Sequence, residues 1–388
     1  MIAIAVIALL IQPYPLLHDY PEWMYQGHIV HALLSDSQPA LSELFSLVPV
    51  PVPNAMSQLI IGALNTAVSP VVAGQICLAL YFVLVTVTSL YGFRSGSVGA
   101  MRLLFTVAIA FGPGFWNGYL NFQFGLMFFA LFVISVGKRS LLSIVVFSLL
   151  IYFSHASVFA GFVCYVLLTE WFGSRQVRAL AGLVPGLLLL LWYTVVRFME
   201  PGGLNVGVGS LAQWIQYKLY TLAKQGPFHN FILPDGESLL ASVHGLYMAG
   251  FVVNFLVAGI IGIWILVVLI KFIRRDLQLS LPEPVIKGLI GTVVALLTAW
   301  LLAGKNSFGV VNLGERFLIA ALMLLILHCH CPVWLRRPWV LLCSVAGVVT
   351  IVSFLLMSRY ADRQYGVCLL YTSPSPRDQR GSRMPSSA

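Results

Sequence analysis

The chain has 388 residues, of which 59% are hydrophobic and only 9% charged, with a mean hydropathy of +0.92. Soluble domains are about 45–50% apolar and about 25% charged, so a water-soluble enzyme, a disordered chain and a nucleic-acid-binding domain are excluded. The net charge of +9 sits in short basic clusters between apolar runs, which is how loops between membrane helices look. Long apolar runs satisfy their backbone in lipid as helices, and the short alternating segments of a membrane barrel are absent. The expected fold is all-α, a polytopic transmembrane helical bundle of about 9–12 spans, given that a ~30 Å hydrocarbon core takes about 20 residues.

In chain order the apolar runs are Met1–Leu17, Pro70–Phe93, Leu103–Phe115, Tyr119–Gly137, Leu141–Ser154, Ala156–Phe172, Ala179–Arg197, Val243–Ile270, Val285–Ala303, Gly314–Cys331 and Val340–Met357. Two of them, at 103–115 and 141–154, are short for a full crossing. The first run lacks a basic flank and a small-residue cleavage site, so it reads as a span and not as a leader. Between the first and second runs lies a predicted outer loop, residues 18–69. It carries the extended stretch Val48-Pro-Val-Pro-Val-Pro53 and a helix over Ala55–Val68, too short to span and expected at the interface. A second predicted outer loop, 199–242, holds Leu211, Trp214, Ile215, Leu219 and Leu222 at helical spacing, an amphipathic interfacial helix.

Lys and Arg set the expected orientation. With alternating spans, Arg94, Arg102, Lys138, Arg139, Arg175, Arg178, Lys271, Arg274, Arg275, Lys287, Arg336 and Arg337 share one side. Fewer basic residues fall on the other, so the first side is cytoplasmic, the N-terminus is inside and both long loops face outward. Residues 1–366 form one polytopic membrane domain. Residues 367–388 break the pattern: Cys368–Asp378 reads CLLYTSPSPRD, which matches codon for codon the translation of a transposase sequencing-library adaptor. The native chain is then expected to end near Gly366 or Val367.

Ionisable and amide groups at the outward ends are the functional candidates. Asp19 and Glu22, three residues apart, follow the first run; they are a general base with its helper, or a helix cap with a solvated first-turn acid. Asn117 and Asn121 flank a Gly/Pro turn rich in aromatics, and offer hydrogen bonds to a sugar or phosphate. Trp116 and Tyr119 could stack on a ring, or belong to an interfacial aromatic belt. His155 interrupts two apolar runs, as a phosphate or proton group or as a hydrogen-bonded junction residue. Lys305 and Arg316 bracket another outward loop and could clamp a phosphate, Arg with two parallel bonds. His328-Cys-His-Cys331 is not read as a zinc site, because consecutive helical residues point apart. These groups come from separate regions yet share a predicted side, which points to an outward-facing polar cavity roofed by the two loops.

With those residues in hand, the chain resembles the GT-C superfamily of membrane glycosyltransferases, in an uncharacterised bacterial branch. The likeness lies in a first span, an outer loop opening on the Asp19–Glu22 acids, an interfacial helix and many further spans. The stretches Gly118-Tyr-Leu-Asn-Phe-Gln-Phe-Gly125, Ser154-His155 and Glu315-Arg-Phe-Leu318 also look like recurrent features of related proteins. Two departures are visible: the acids are separated by Tyr20-Pro21, and no outer soluble domain is present. The resemblance implies sugar transfer from a polyprenyl-phosphate donor on the outer face of a bacterial cytoplasmic membrane. Asp19 would be the base, Glu22 its helper, and Arg316 with Lys305, His155, Asn117 and Asn121 the phosphate and substrate ligands. It implies the bilayer and the lipid-linked sugar as partners, an acceptor of unknown identity, no nucleic acid and no certain cofactor, a divalent metal being allowed but not required. A transporter or flippase of a lipid-linked or small polar substrate, or a non-catalytic membrane scaffold, is the competing reading. Against the transporter stands the scarcity of acids at mid-span.

Overall fold

A computed structural model describes residues 17–35, 39–48, 50–92, 98–135, 140–173, 177–199, 210–226, 236–274, 281–304, 306–307 and 310–352, with a few isolated positions near the termini. Most of the first apolar run, Lys305 and the tail lie outside the described residues. The molecule is an all-α bundle. In chain order the elements are α1 (Tyr20–Ser35), α2 (Pro39–Leu44), α3 (Met56–Leu64), α4 (Pro70–Tyr91), α5 (Val98–Phe105), α6 (Pro113–Trp116), α7 (Leu120–Ile134), α8 (Leu141–Ser154), α9 (Ala156–Phe172), α10 (Val177–Ala181), α11 (Val184–Met199), α12 (Leu211–Ala223), α13 (Gly236–Ile273), α14 (Glu283–Leu302) and α15 (Leu313–His328). A last helix, α16 (Val333–Val352), opens with a tight 3₁₀ turn. The only extended pairing among the described residues is a two-residue ladder, Asn306–Ser307 against Val310–Val311.

Among the described residues five helices are long and apolar enough to cross a bilayer: α4, the run Val98–Trp116, the Val252–Ile273 part of α13, α14 and α16. Four shorter apolar helices, α7, α8, α9 and the Val184–Val196 part of α11, pack among them. The protein is therefore a membrane protein by composition and helix length. The run read as Leu103–Phe115 is longer than its apolar residues suggest. It begins at Val98, and Arg102 within it sends Nη2 to the Leu90 carbonyl at the end of α4. The guanidinium caps a helix C-terminus, so its charge does not end the span.

Helix ends follow local chemistry. Ser69 caps α4 with Pro70 at the first helical position, and Ser140 caps α8. Thr106–Ala110 forms a π turn whose carbonyls need outside partners. Tyr81 Oη donates to Ala110 O at 2.7 Å and Gln123 Nε2 to Ile109 O at 3.3 Å. That distortion aims the following turn, residues 111–119, across one end of the bundle. The core beneath it is aromatic: Tyr81 stacks on Phe115 at 6.0 Å, meets Phe124 edge-on at 6.1 Å and Phe82 at a tilt at 5.2 Å, and Phe82 meets Phe115 edge-on at 5.6 Å.

Helices α9 and α14 approach closely at small residues, which replaces the hydrophobic drive absent between helices in lipid. A Cβ on Gly288 would lie 2.4 Å from Thr169 Oγ1 and 2.7 Å from Thr169 Cα. Gly288→Ala is expected to cost about 1–3 kcal/mol through overpacking, measured by unfolding in mild detergent. Gly259→Ala, where nothing lies within 4 Å, is the control and should be neutral or mildly stabilising.

Candidate functional site

The site forms where loops cross one end of the bundle. The chain enters α1 over the 111–119 turn: His18 N donates to Trp116 O at 3.2 Å and Asp19 N to Asn117 O at 3.1 Å. Trp23 Nε1 adds a bond to Gly118 O at 2.6 Å. Gly118 is required here. Its φ is +70°, and a Cβ would sit 2.6 Å from Asp19 N. These bonds hold the Asp19 carboxylate, 23% exposed, at the rim of the end face. His18 Nδ1 lies 2.6 Å from Asp19 Oδ1.

Arg316, in the first turn of α15, reaches the same place. Its guanidinium carbon lies 4.5 Å from the centre of the Tyr119 ring and 5.9 Å from that of Phe122. One Nη donates to His155 Nε2. Its Nε is shielded from solvent and has no partner. Among the described residues Arg316 has no carboxylate in ion-pair contact, although the charges of Asp19 and Glu315 both act on it. Asn117 Nδ2, also shielded, is unpartnered too.

His155 joins α8 to α9 and caps α9. Its Nδ1 lies 2.9 Å from Ser157 Oγ and 3.2 Å from Ser157 N. Arg316 can only donate, so Nε2 must accept and the proton belongs on Nδ1, shared with Ser157 Oγ. The Ser157 amide is then poorly served. The ring is asked to accept from two donors and, when neutral, has one lone pair for them. Burial, and then the Arg316 charge, hold the His155 pKa well below its usual range.

Beside this cluster lies a second one. Lys224 Nζ pairs with Glu315 Oε2 at 2.5 Å, both deeply buried, and Glu315 Oε1 is unpartnered. Burial and the Glu315 charge push the nearby Tyr217 hydroxyl up to about 12.

The expected site residues thus divide into two networks. Asp19, Asn117, His155 and Arg316 gather round Tyr119. Glu22 and Asn121 belong to a chain of side-chain amides: Gln26 Nε2 donates to Glu22 at 2.8 Å, Gln58 Nε2 to Gln26 at 3.0 Å, and Asn121 Nδ2 to Gln58 at 3.0 Å. Asn121, 0% exposed, also accepts from Ser57 N at 2.6 Å and donates to Asn54 O at 2.7 Å. Its amide is fully used in clamping the first loop and α3 to α7. Glu22 stands exposed at the far end of that chain, so it is not a partner of Asp19 in this arrangement. Lys305 lies outside the described residues. His328 ends α15 at the opposite end, its ring nitrogen bonded to Leu324 O.

Sequence reasoning missed the Lys224–Glu315 pair and the seat of Arg316 on Tyr119. The available signal was weak: a lysine just past an amphipathic helix, and an aromatic residue in a turn already rich in them. Comparisons of the chain with known protein families, curated proteins and solved structures find no match.

Nitrogen-15 spectra of histidine-labelled protein at neutral pH should place the His155 proton on Nδ1. A ring protonated on Nε2 would refute the arrangement. Because its folded pKa lies below the ordinary 6.5, the unfolded state takes up that proton first. Stability should therefore fall as pH drops below about 6.5, and His155→Asn should flatten that part of the slope.

Proposed function

We propose that this protein is a membrane glycosyltransferase of the GT-C type, moving a sugar from a polyprenyl-phosphate donor to an acceptor hydroxyl at the outer face of a bacterial cytoplasmic membrane. The observation that carries the reading is Arg316. A charged group partly withdrawn from water is costly unless paired, and this guanidinium has a shielded, unpartnered Nε and, among the described residues, no carboxylate in ion-pair contact. An anion with several oxygens, such as a phosphate, would complete it.

The chemistry then follows from what surrounds the guanidinium. The Asp19 carboxylate takes the proton of the acceptor hydroxyl. The acceptor oxygen attacks the anomeric carbon, and the bond from that carbon to the phosphate oxygen breaks. The bond's electron pair leaves with the lipid phosphate, whose charge Arg316 stabilises. Neutral His155 steadies Arg316 without adding a charge, and Asn117 Nδ2 is placed to donate to a substrate oxygen. Arg316 supplies the positive charge that the departing phosphate needs, and the bilayer holds the donor's tail. In this reading the N-terminus is cytoplasmic, in accord with the distribution of Lys and Arg.

The test uses the full chain in nanodiscs, offered a panel of radiolabelled polyprenyl-phosphate sugars, with release of free polyprenyl phosphate as the readout. Asp19→Asn should lower release by about 10²–10⁴ and Arg316→Ala by about 10²–10³, with folded protein retained. Equal release by all three, or none from any donor, sinks the scheme. Uptake of a lipid-linked substrate into proteoliposomes that is indifferent to Asp19→Asn would favour a transporter instead.

A further inference from the structure

Helix α12 is amphipathic in the sense opposite to that of a soluble protein. Its buried residues are Tyr217, Lys218 and Thr221, while its apolar stripe points away from the bundle, with Leu211 73% and Leu219 62% exposed. Polar and aromatic contacts hold it down. Lys218 Nζ donates to Trp300 O and Ala303 O, carbonyls at the C-terminal end of α14. Trp214 Nε1 donates to Leu301 O between them at 2.9 Å, and Trp300 Nε1 to Thr221 Oγ1 at 3.1 Å. The Lys218 ammonium lies 5.0–5.6 Å from the ring centres of Tyr217, Trp214 and Trp300. Six residues on, Lys224 pairs with Glu315, the neighbour of Arg316.

We propose that α12 is a lid lying on the bilayer surface over the Arg316 anion site, and that it lifts sideways to admit a phosphate whose hydrocarbon tail stays in the membrane. This rests on the anion-site reading of Arg316. Three facts support it. The stripe faces outward at the level where a candidate span ends, which fits a lipid surface and nothing polar. Within Leu211–Ala223 the inward contacts are hydrogen bonds and cation–ring contacts, each of small net worth where water or headgroups can replace them; the buried Lys224–Glu315 pair lies just past the last residue and anchors that end. Lifting α12 therefore exposes little apolar surface, because its stripe stays in lipid throughout. The helix also lies against the start of α15: Lys218 Nζ, on its inner face, is 3.4 Å from where a Cβ on Gly314 would sit, and Lys224, just past its end, pairs with Glu315 beside Arg316.

The test has two arms. Thr221→Cys places a thiol at a fully buried position under the lid, and Ser148→Cys places one at a fully buried position in the bundle. Modification by a water-soluble maleimide is read at each residue by mass spectrometry. Position 221 should react measurably, and about tenfold faster when Lys218→Met removes the ammonium's bonds, while position 148 stays protected. Position 221 as protected as 148 in both backgrounds would overturn the lid.

In the second arm, Lys218→Cys and Ala303→Cys are joined by a short cleavable thiol bridge. The bridged protein in nanodiscs should lose binding of polyprenyl phosphate, keep binding of inorganic phosphate, and recover on reduction. Unchanged binding of polyprenyl phosphate by the bridged protein also overturns the lid. If the unbridged protein binds neither probe, the anion-site reading of Arg316 fails, and the labelling arm alone decides whether α12 opens.

Discussion

Everything at the functional end of this molecule follows from one constraint: the last carbonyls and first amides of a membrane helix have no partner within the helix, and lipid offers none. Side chains and loop backbone from elsewhere in the chain take up that role. Asn54 N and Ala55 N donate to Phe153 O at the end of α8. Tyr152 Oη reaches Pro51 O and Leu189 O, tying the first loop to α11. Lys218 and Trp214 cap α14, and Asn121 caps the start of α3. The carbonyls of the 111–119 turn are taken by residues entering α1. Asp19 is held at the rim because its own amide completes one of these pairs.

Charge obeys the same economy. Lys224 and Glu315 are deeply buried and neutralise one another at 2.5 Å. Losing either partner leaves a buried charge uncompensated, which is far costlier than losing both. Arg316 is handled differently: a ring face, a neutral imidazole and two carboxylates acting at a distance share the task of pairing it. Those are weak partners for a guanidinium whose Nε is shielded from water. The two basic residues differ in what lies beside them: a carboxylate for Lys224, a ring face and an imidazole for Arg316.

Much of the fold is legible in the apolar runs. The breaks at Ser69-Pro70 and Ser154-His155 mark helix starts, because a capping oxygen, a proline or a histidine at the cap has a local effect. Arg102 misleads, since a long side chain can place its charge on another helix's end while its backbone continues the span. The outer helix at 211–223 is legible as amphipathic, but which face goes inward is not. In water the apolar side turns in; at a bilayer the lysine does. The shared end of Asp19, Asn117, His155 and Arg316 follows from counting spans. Their partners do not, because His155 and Arg316 are 161 positions apart and only packing joins them. Asn121 looks like a ligand by residue type and serves as a clamp, since an amide with both donors and acceptor satisfied by backbone and Gln58 has nothing left to offer.

The long reach of these caps has a consequence for biogenesis. A chain is delivered from its N-terminus, and early parts fold before late ones exist. Asn121 closes on residues 54–58, already made when it emerges, so the first loop can settle at once. Lys218 precedes Trp300 by 82 positions and waits for a helix not yet inserted. His155 waits longer still for Arg316. In a nascent chain Asp19 therefore emerges long before Arg316 exists, and the two share one end of the bundle only when α14 and α15 are in place.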